Sequence, residues 1–393
     1  MGKLTVKDLD LKGRQVLMRA DFNVPQDASL NITDDSRIRA TLPTIRYILA
    51  NGAKKLVLIS HLGRPDGKAA VKYSLRPVAE RLKGLLGEEV KFLDDCAGGS
   101  IKREIAAAKE RVVLLENLRF HPEEEANDPE FARQLAALGD CYVNDAFGAA
   151  HRAHASTEGV AHYLKSAAGL LLEKEIAYLG NAVQNPQKPF IAIIGGAKVS
   201  DKIAVIENLL PKCDLILIGG GMCYTFLLAQ GKAIGNSKLE KGKLELAKDI
   251  LDKAAELKKE IILPIDHLVA DNLGPAAKTE VVGENIPAGK IAGDIGPKTI
   301  KLFSDKLRPA QTIIWNGPLG IFEMEAFSAG TEQIARFISG LNAATIIGGG
   351  DTAAAVAKFR LEDKMTHIST GGGASLEFLE GKILPGIAVL TDK

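Results

Sequence analysis

The sequence predicts an α/β protein of two Rossmann-like, parallel-sheet (α/β/α) domains joined by a helix. Three observations predict it. Short apolar runs alternate with amphipathic helical patterns along the whole chain, the pattern of parallel βαβ units. At 393 residues the chain is too long for one ordinary core and suits two domains. The residues that follow the strands also change character midway, from basic in the first half to glycine in the second.

In the first half, Val16-Leu-Met18 is a strand that ends in Arg19-Ala-Asp21-Phe-Asn23-Val-Pro25, which is turn chemistry. Ser36 opens a helix in which Ile38, Leu42, Ile45 and Leu49 share a face, and Asn51-Gly52 closes it. Lys55 to Ser60 is a strand running into His61-Leu62-Gly63-Arg64-Pro65. Helices are expected over Leu75 to Leu86, over Ser100 to Lys109 with Ser100 as N-cap, and over Pro129 to Leu138. Strands are expected at Val90 to Leu93, at Val112 to Leu115 and at Cys141 to Val143. The last two exit into Glu116 to Pro122, with Arg119, and into Asn144 to His154, with His151 and Arg152. Glu123-Glu-Glu125 reads as a solvated acidic segment. Ligands of parallel sheets bind at the carboxyl ends of the strands. Arginines gathered at that edge, with Arg37 opening the first helix, imply a pocket for a small, highly charged anion. The histidines there are hydrogen-bond donors in this reading, because a cation among arginines meets a repulsive field. Gly169 to Val183 is one amphipathic helix, broken at Asn185-Pro, and is the expected domain connector.

The second half opens on Ile191-Ala-Ile-Ile-Gly195-Gly-Ala-Lys198-Val-Ser-Asp-Lys202. A buried strand, a glycine turn and two lysines four residues apart describe a phosphate site. A helix starting near Val199 would bring both lysines to one face of its first turn. Leu215 to Ile218 exits into Gly219-Gly220-Gly221, Thr345 to Ile347 into Gly348-Gly349-Gly350-Asp351-Thr352, and His367 to Thr370 into three more glycines. Thr312 to Glu323 is a strand and a rigid exit loop. Lys238 to Lys259 reads as one solvated helix, Ile261 to Leu268 as a strand and its exit, and Asp271 to Ile291 as turns. Ala292-Gly293-Asp294 reads as the approach to a helix near Lys298 to Leu307. Asp351 is open to two readings, a helix N-cap or a holder of Mg²⁺ on a nucleotide. Neither Gly-x-Gly-x-x-Gly nor Gly-x-x-x-x-Gly-Lys-[Ser/Thr] occurs at these strand ends, which disfavours a dinucleotide fold and a Walker-type loop.

Composition excludes other classes. Lys+Arg 50 against Asp+Glu 49 leaves no basic excess for nucleic acid. Cys96, Cys141, Cys213 and Cys223 are scattered without zinc or redox spacing and read as small buried hydrophobes in a reducing cytoplasm. The N-terminus has no apolar signal core, and the uncharged run Leu215 to Gly231 reads as strand plus helix because glycines interrupt it. The expectation is a soluble cytoplasmic protein that engages neither membrane nor nucleic acid.

Arg19-Ala-Asp-Phe-Asn-Val-Pro25, Ser60-His-Leu-Gly-Arg-Pro65, Glu116-Asn-Leu-Arg-Phe120, Asp145 to His154, Gly195 to Lys202, Trp315-Asn-Gly-Pro318 and Gly348 to Thr352 together resemble phosphoglycerate kinase of the bacterial type. Met18, Ala20 and Ala149 depart from the family's commoner residues. The resemblance implies a monomer with a hinged cleft. It implies a phosphoglycerate-binding domain over 1–172, an interdomain helix over 173–185, a nucleotide-binding domain over 186–379, and a tail, 380–393, that packs back on the first domain. Asp21, Asn23, Arg37, His61, Leu62, Gly63, Arg64, Arg119 and Arg152 would bind 3-phosphoglycerate or 1,3-bisphosphoglycerate. Lys202, Gly220, Gly221, Gly293, Glu323, Gly349, Gly350, Asp351 and Thr352 would bind ADP or ATP, with Asp351 on Mg²⁺. Arg37, Lys198 and Lys202 would hold the transferring phosphoryl group. The acceptor carboxylate is ionised at neutral pH, so no general base is needed. A nucleotide-dependent dehydrogenase and a two-lobe nucleotide- or anion-binding protein without catalysis are the rival readings.

Overall fold

The computed structural model describes residues 2–393. Contacts divide the chain into two compact units, Met1–Ala177 with Ile383–Lys393, and Tyr178–Lys382. In the chain, the boundary falls inside the helix Leu170–Gln184.

The first unit contains β1 (Gln15–Arg19), β2 (Lys55–Ile59), β3 (Val90–Leu93), β4 (Val112–Leu115), β5 (Cys141–Asn144) and β6 (Ser166–Ala168). All pair in parallel, in the order β3-β4-β2-β1-β5-β6. Helices cover the sheet, so β2 and β4 are buried from end to end and read as unbroken apolar runs. The helix Ser36–Ala50 lays Ile38, Leu42, Ile45, Ile48 and Leu49 into the core. Asp128 caps the helix Pro129–Ala136, accepting from Phe131 N at 2.8 Å, and Pro129 sits where no N–H is needed. The C-terminal segment belongs to this unit: Asn144 Nδ2 donates to Gly386 O at 2.9 Å, and Lys3 pairs with Asp392 at 2.8 Å.

The second unit runs through β7 (Phe190–Ile194), β8 (Leu215–Ile218), β9 (Glu260–Ile262), β10 (His267–Ala270), β11 (Glu280–Val282), β12 (Ile291–Ile295), β13 (Thr312–Asn316), β14 (Ala344–Gly348) and β15 (His367–Ile368). Six form a parallel sheet, β15-β14-β13-β7-β8-β9. Both large sheets are wound alike. The first strand lies inside, the next flanks it on one side, and a later strand returns to its other side. The switch points, β1/β5 and β7/β13, are where such sheets open a crevice at their carboxyl ends.

Several local expectations are corrected. The stretch read as turns and a helix approach holds a small antiparallel sheet, β11-β10-β12. The run 238–259 gives only the helix Leu244–Glu256 after a short 3₁₀ turn. Gly98, not Ser100, precedes the helix Gly99–Ala107. The helix after β7 starts at Ile203 rather than Val199, because Ser200 turns outward to Glu240, donating from N at 3.0 Å and Oγ at 2.7 Å. Glu124 of the supposedly solvated acidic segment is fully buried. Among the described residues no helix is long and apolar enough to cross a membrane, and all four cysteines are free and buried.

Candidate active site

At the carboxyl edge of the first sheet, the last residue of β1 is an arginine with no exposed surface. Arg19 Nε donates to Ser156 Oγ at 2.9 Å, and Ser156 Oγ and N donate to the Glu124 carboxylate at 2.5 and 2.9 Å. Burial pushes the Glu124 carboxyl up, and Arg19 and Ser156 oppose that shift. Arg19 Nη2 lies 3.1 Å from His61 Nδ1. A guanidinium only donates, so His61 Nδ1 accepts and its proton is on Nε2. Burial, then the charges of Arg19, Arg119 and Arg37, holds His61 well below the usual imidazole range. His154 is pushed down to about 3 by burial and by Arg119, Arg19 and Arg152. Both rings are therefore neutral at pH 7, and the cations of this edge are its arginines.

Asp21 and Asn23 leave β1 as braces. Asp21 Oδ2 pairs with Arg37 Nη1 at 2.6 Å, and its Oδ1 accepts from Asn23 N at 3.1 Å. Asn23 Oδ1 accepts from Gly63 N at 2.8 Å. Arg119 donates from Nη1 to Gly63 O at 2.8 Å, and its Nε lies 3.1 Å from Glu125 Oε1 as an ion pair without hydrogen-bond alignment. Burial and Arg19 lower Arg119 to about 10, so it stays cationic. Gly63 has φ +63°, and a Cβ there would strike the Tyr73 ring. Arg152 Nε donates to His151 Nε2 at 3.3 Å, and Arg64 is exposed on the following loop. Leu62 is buried in the core, its carbonyl accepts from Asn117 Nδ2 at 2.7 Å, and it lines a small cavity with Asn23 and Gly63. Beside the edge, His121 Nε2 hydrogen-bonds Asp95 Oδ1 at 2.8 Å over buried Cys96, which satisfies the one Asp–Cys–His group dense enough for a metal among the described residues.

The second unit's edge is built from backbone. Gly195 N donates to Asn316 O and Gly196 N to Pro318 O, both at 2.9 Å, and Gly220 N donates to Leu319 O at 3.0 Å. Gly220 has φ +66°, and a Cβ there would lie 2.6 Å from Gly196 O and 2.7 Å from Gly196 N. Three strand exits thus pack main chain against main chain. Lys202, the residue before the helix Ile203–Leu209, donates to Asn316 Oδ1. Burial lowers the Lys202 ammonium, and Asp201, Asp351 and Glu380 oppose the shift. Asn316 is fully buried, and its Nδ2 has no hydrogen-bond partner. The helix Gly350–Lys358 is preceded by Gly349 at φ +86°, so Asp351 is not its N-cap and stands exposed on the first turn. Thr352 Oγ1 accepts from Gly317 N at 2.7 Å.

Two cavities share Asp351. One of about 230 Å³ is lined by Lys202, Asn316, Gly349, Gly350, Asp351 and Thr352 among others. The other, about 550 Å³, includes Gly220, Gly221, Tyr224, Gly293, Glu323 and Asp351. Lys198 lines neither; it is exposed on the turn and acts on Glu240. Sequence reasoning missed Arg19, Glu124 and Asn316 as parts of these edges. An arginine closing an apolar strand and an asparagine closing another were the available signals, since neither stays buried without partners.

Residues 6–382 match the family model of phosphoglycerate kinase. The chain belongs to the phosphoglycerate kinase family. It is 57% identical over 405 residues to the phosphoglycerate kinase of Koribacter versatilis and 56% identical over 395 residues to that of Moorella thermoacetica, with 100% of each chain covered in both pairs. The solved phosphoglycerate kinase of Coxiella burnetii shares its fold at a TM-score of 0.91, with 43% identity over 98% of each chain. The chain is accordingly a phosphotransferase of glycolysis, moving a phosphoryl group reversibly between 1,3-bisphosphoglycerate and ADP. Neither the dehydrogenase reading nor the noncatalytic one is retained.

Proposed function

We propose that the arginine edge of the first unit binds the phosphoglycerate and that the glycine edge of the second binds the magnesium nucleotide. The observation that supports this most is the pair of adjoining cavities sharing Asp351. The larger, with Tyr224 and Glu323, suits a nucleoside, and the smaller, with Lys202 and buried Asn316 Nδ2, suits a phosphate chain. Asp351, exposed between them, is the candidate contact for Mg²⁺ carried in with the nucleotide. Arg37, Arg119, Arg152 and the Nε2 proton of His61 offer donors to phosphate and carboxylate, with Asp21 and Asn23 holding the loops that present them. Arg64, exposed, contributes a further cation.

In this reading Arg37 and Lys202 stabilise charge on the transferring group, and Lys198 joins them only if its turn rearranges. The acceptor is an ionised carboxylate, so catalysis consists of alignment and charge stabilisation without proton abstraction. Two ligands on separate units require a hinge closure before transfer, which would also exclude water. We infer a cytoplasmic monomer, in keeping with four unpaired cysteines. A coupled assay with ATP and 3-phosphoglycerate, with and without Mg²⁺, tests the whole reading. Activity that persists after chelation would remove the metal from it. Scattering with both ligands that shows no compaction would remove the closure.

A further inference from the structure

Behind the larger cavity of the second unit is a buried carboxylate that none of the site assignments uses. Asp294, on β12, is 1% exposed. Its Oδ2 accepts from Gly330 N at 2.7 Å and its Oδ1 from Ile295 N at 2.9 Å. Gly330 is the second residue of the helix Ala329–Ser339, so the carboxylate sits on that helix's N-terminus. The next residue, Thr331, accepts through Oγ1 from Leu319 N at 3.1 Å and Gly320 N at 3.2 Å. A Cβ on either Gly320 or Gly330 would collide with the Asp294 carboxylate, so the two glycines close around it from both sides. On the same strand Gly293 faces the cavity at the point where pairing with β10 slips by one residue, and its carbonyl accepts from Ile321 N at 2.9 Å. Asp294 therefore ties the strand carrying Gly293 to the helix N-terminus, and Gly320 of the loop from Pro318 to Glu323 packs against its carboxylate, while Thr331 and the Gly293 carbonyl make the hydrogen bonds to that loop. Gly293, Pro318, Gly320, Ile321 and Glu323 all line the cavity.

We propose that Asp294 is a positioning residue for the nucleotide, its ionised carboxylate holding the Pro318–Glu323 loop in the shape that receives the nucleoside. This rests on reading the 550 Å³ cavity as the nucleoside site. Burial, opposed only in part by the two N–H groups, pushes the Asp294 carboxyl up to about 7. The titratable group on which it acts is the Tyr224 phenol, from the helix Cys223–Ala229. Burial already holds that phenol protonated. His267, on the adjoining strand β10, is pushed down to about 4 and stays neutral through the window. Lowering the pH through about 7 protonates Asp294, removes the anion from the helix terminus and loosens the loop.

The test compares Asp294→Asn with Ile334→Ala, a core truncation in the same helix. Asp294→Asn should raise KM for ADP by about tenfold with kcat within about twofold, and leave KM for 1,3-bisphosphoglycerate unchanged. Ile334→Ala should lower Tm without moving either KM. Adenosine, which has no phosphate to titrate, serves as a second probe. Its Kd for the unmodified enzyme should rise about five- to tenfold between pH 8 and pH 6, and the asparagine variant should show no such step. A KM for ADP within twofold of wild type in the folded asparagine variant overturns the proposal, as does a flat adenosine profile in the unmodified enzyme. So does an equal KM rise in Ile334→Ala. If the unmodified enzyme binds no adenosine, or Glu323→Ala binds it unchanged, the assignment of the cavity fails instead.

Discussion

The two units present their sheets' carboxyl edges in opposite chemical styles. In the first, long side chains reach the edge, and buried partners fix them: Glu124 and Ser156 under Arg19, Asp21 on Arg37, Glu125 beside Arg119. In the second, glycines let main chain meet main chain at Gly195, Gly196, Gly220 and Gly317, and one half-buried lysine supplies the charge. In the function proposed above, the same winding thus makes an anion site in two ways. The first depends on which side chain is present. The second depends on no side chain being present.

Comparing Lys202 with Lys198 gives the largest expected effect. Lys202→Met should cut kcat/KM on the order of 10²–10³-fold, as loss of a transition-state donor does, while Lys198→Met should cost less than about tenfold. Equal losses would mean that the turn at Ser200 rearranges to bring both lysines to the phosphates. Gly220→Ala comes next. Its Cβ would overlap the Gly196 backbone at a φ that alanine rarely adopts. The expected cost is about 3 kcal/mol of stability by denaturant titration, together with weakened ADP binding. A loss below about 0.5 kcal/mol would show that the glycine edge tolerates side chains after all.

The smallest effect concerns Asp145, the residue after β5. Its Oδ1 accepts from Leu171 N at 2.9 Å and Leu172 N at 3.2 Å at the start of the helix Leu170–Gln184, and its buried Oδ2 has no hydrogen-bond partner. Burial raises this carboxyl to about 7. The folded chain therefore keeps a proton that the unfolded chain loses near pH 4, and the stability contributed by this group falls as pH rises from about 4 to 7. His154 and His267, held neutral when folded, act oppositely and lose stability as pH falls below about 6.5. Urea titrations across this range should show Asp145→Asn gaining on the wild type as pH rises. A constant difference between the two would contradict the shifted carboxyl.

The strands around both switch points were legible because buried parallel strands are apolar from end to end, as in Leu56 to Ile59 and Ile191 to Ile194. The arginines at their exits could be read for the same reason, since nothing else explains charges repeated at one edge. The sheet β11-β10-β12 was not legible. Glu280-Val-Val is three residues long and largely exposed, and Gly293 interrupts the pattern of β12. The pairing of Lys198 with Lys202 failed because the Ser200–Glu240 bonds, 40 residues apart in the chain, delay the helix. Glu124 looked solvated between two acidic neighbours, and Arg19 and Ser156, both far from it in the chain, account for its burial. Long-range partners of this kind leave no local mark.

The central claim is that each edge receives its own ligand. Calorimetric titration of 3-phosphoglycerate and of MgADP, separately, into Arg119→Ala and Lys202→Met tests it most directly. The account predicts a crossed result: the arginine variant loses affinity for 3-phosphoglycerate by on the order of 10²-fold and binds MgADP as the wild type does, and the lysine variant does the reverse. Loss of both ligands in either folded variant, or 3-phosphoglycerate binding that survives Arg119→Ala intact, would contradict it.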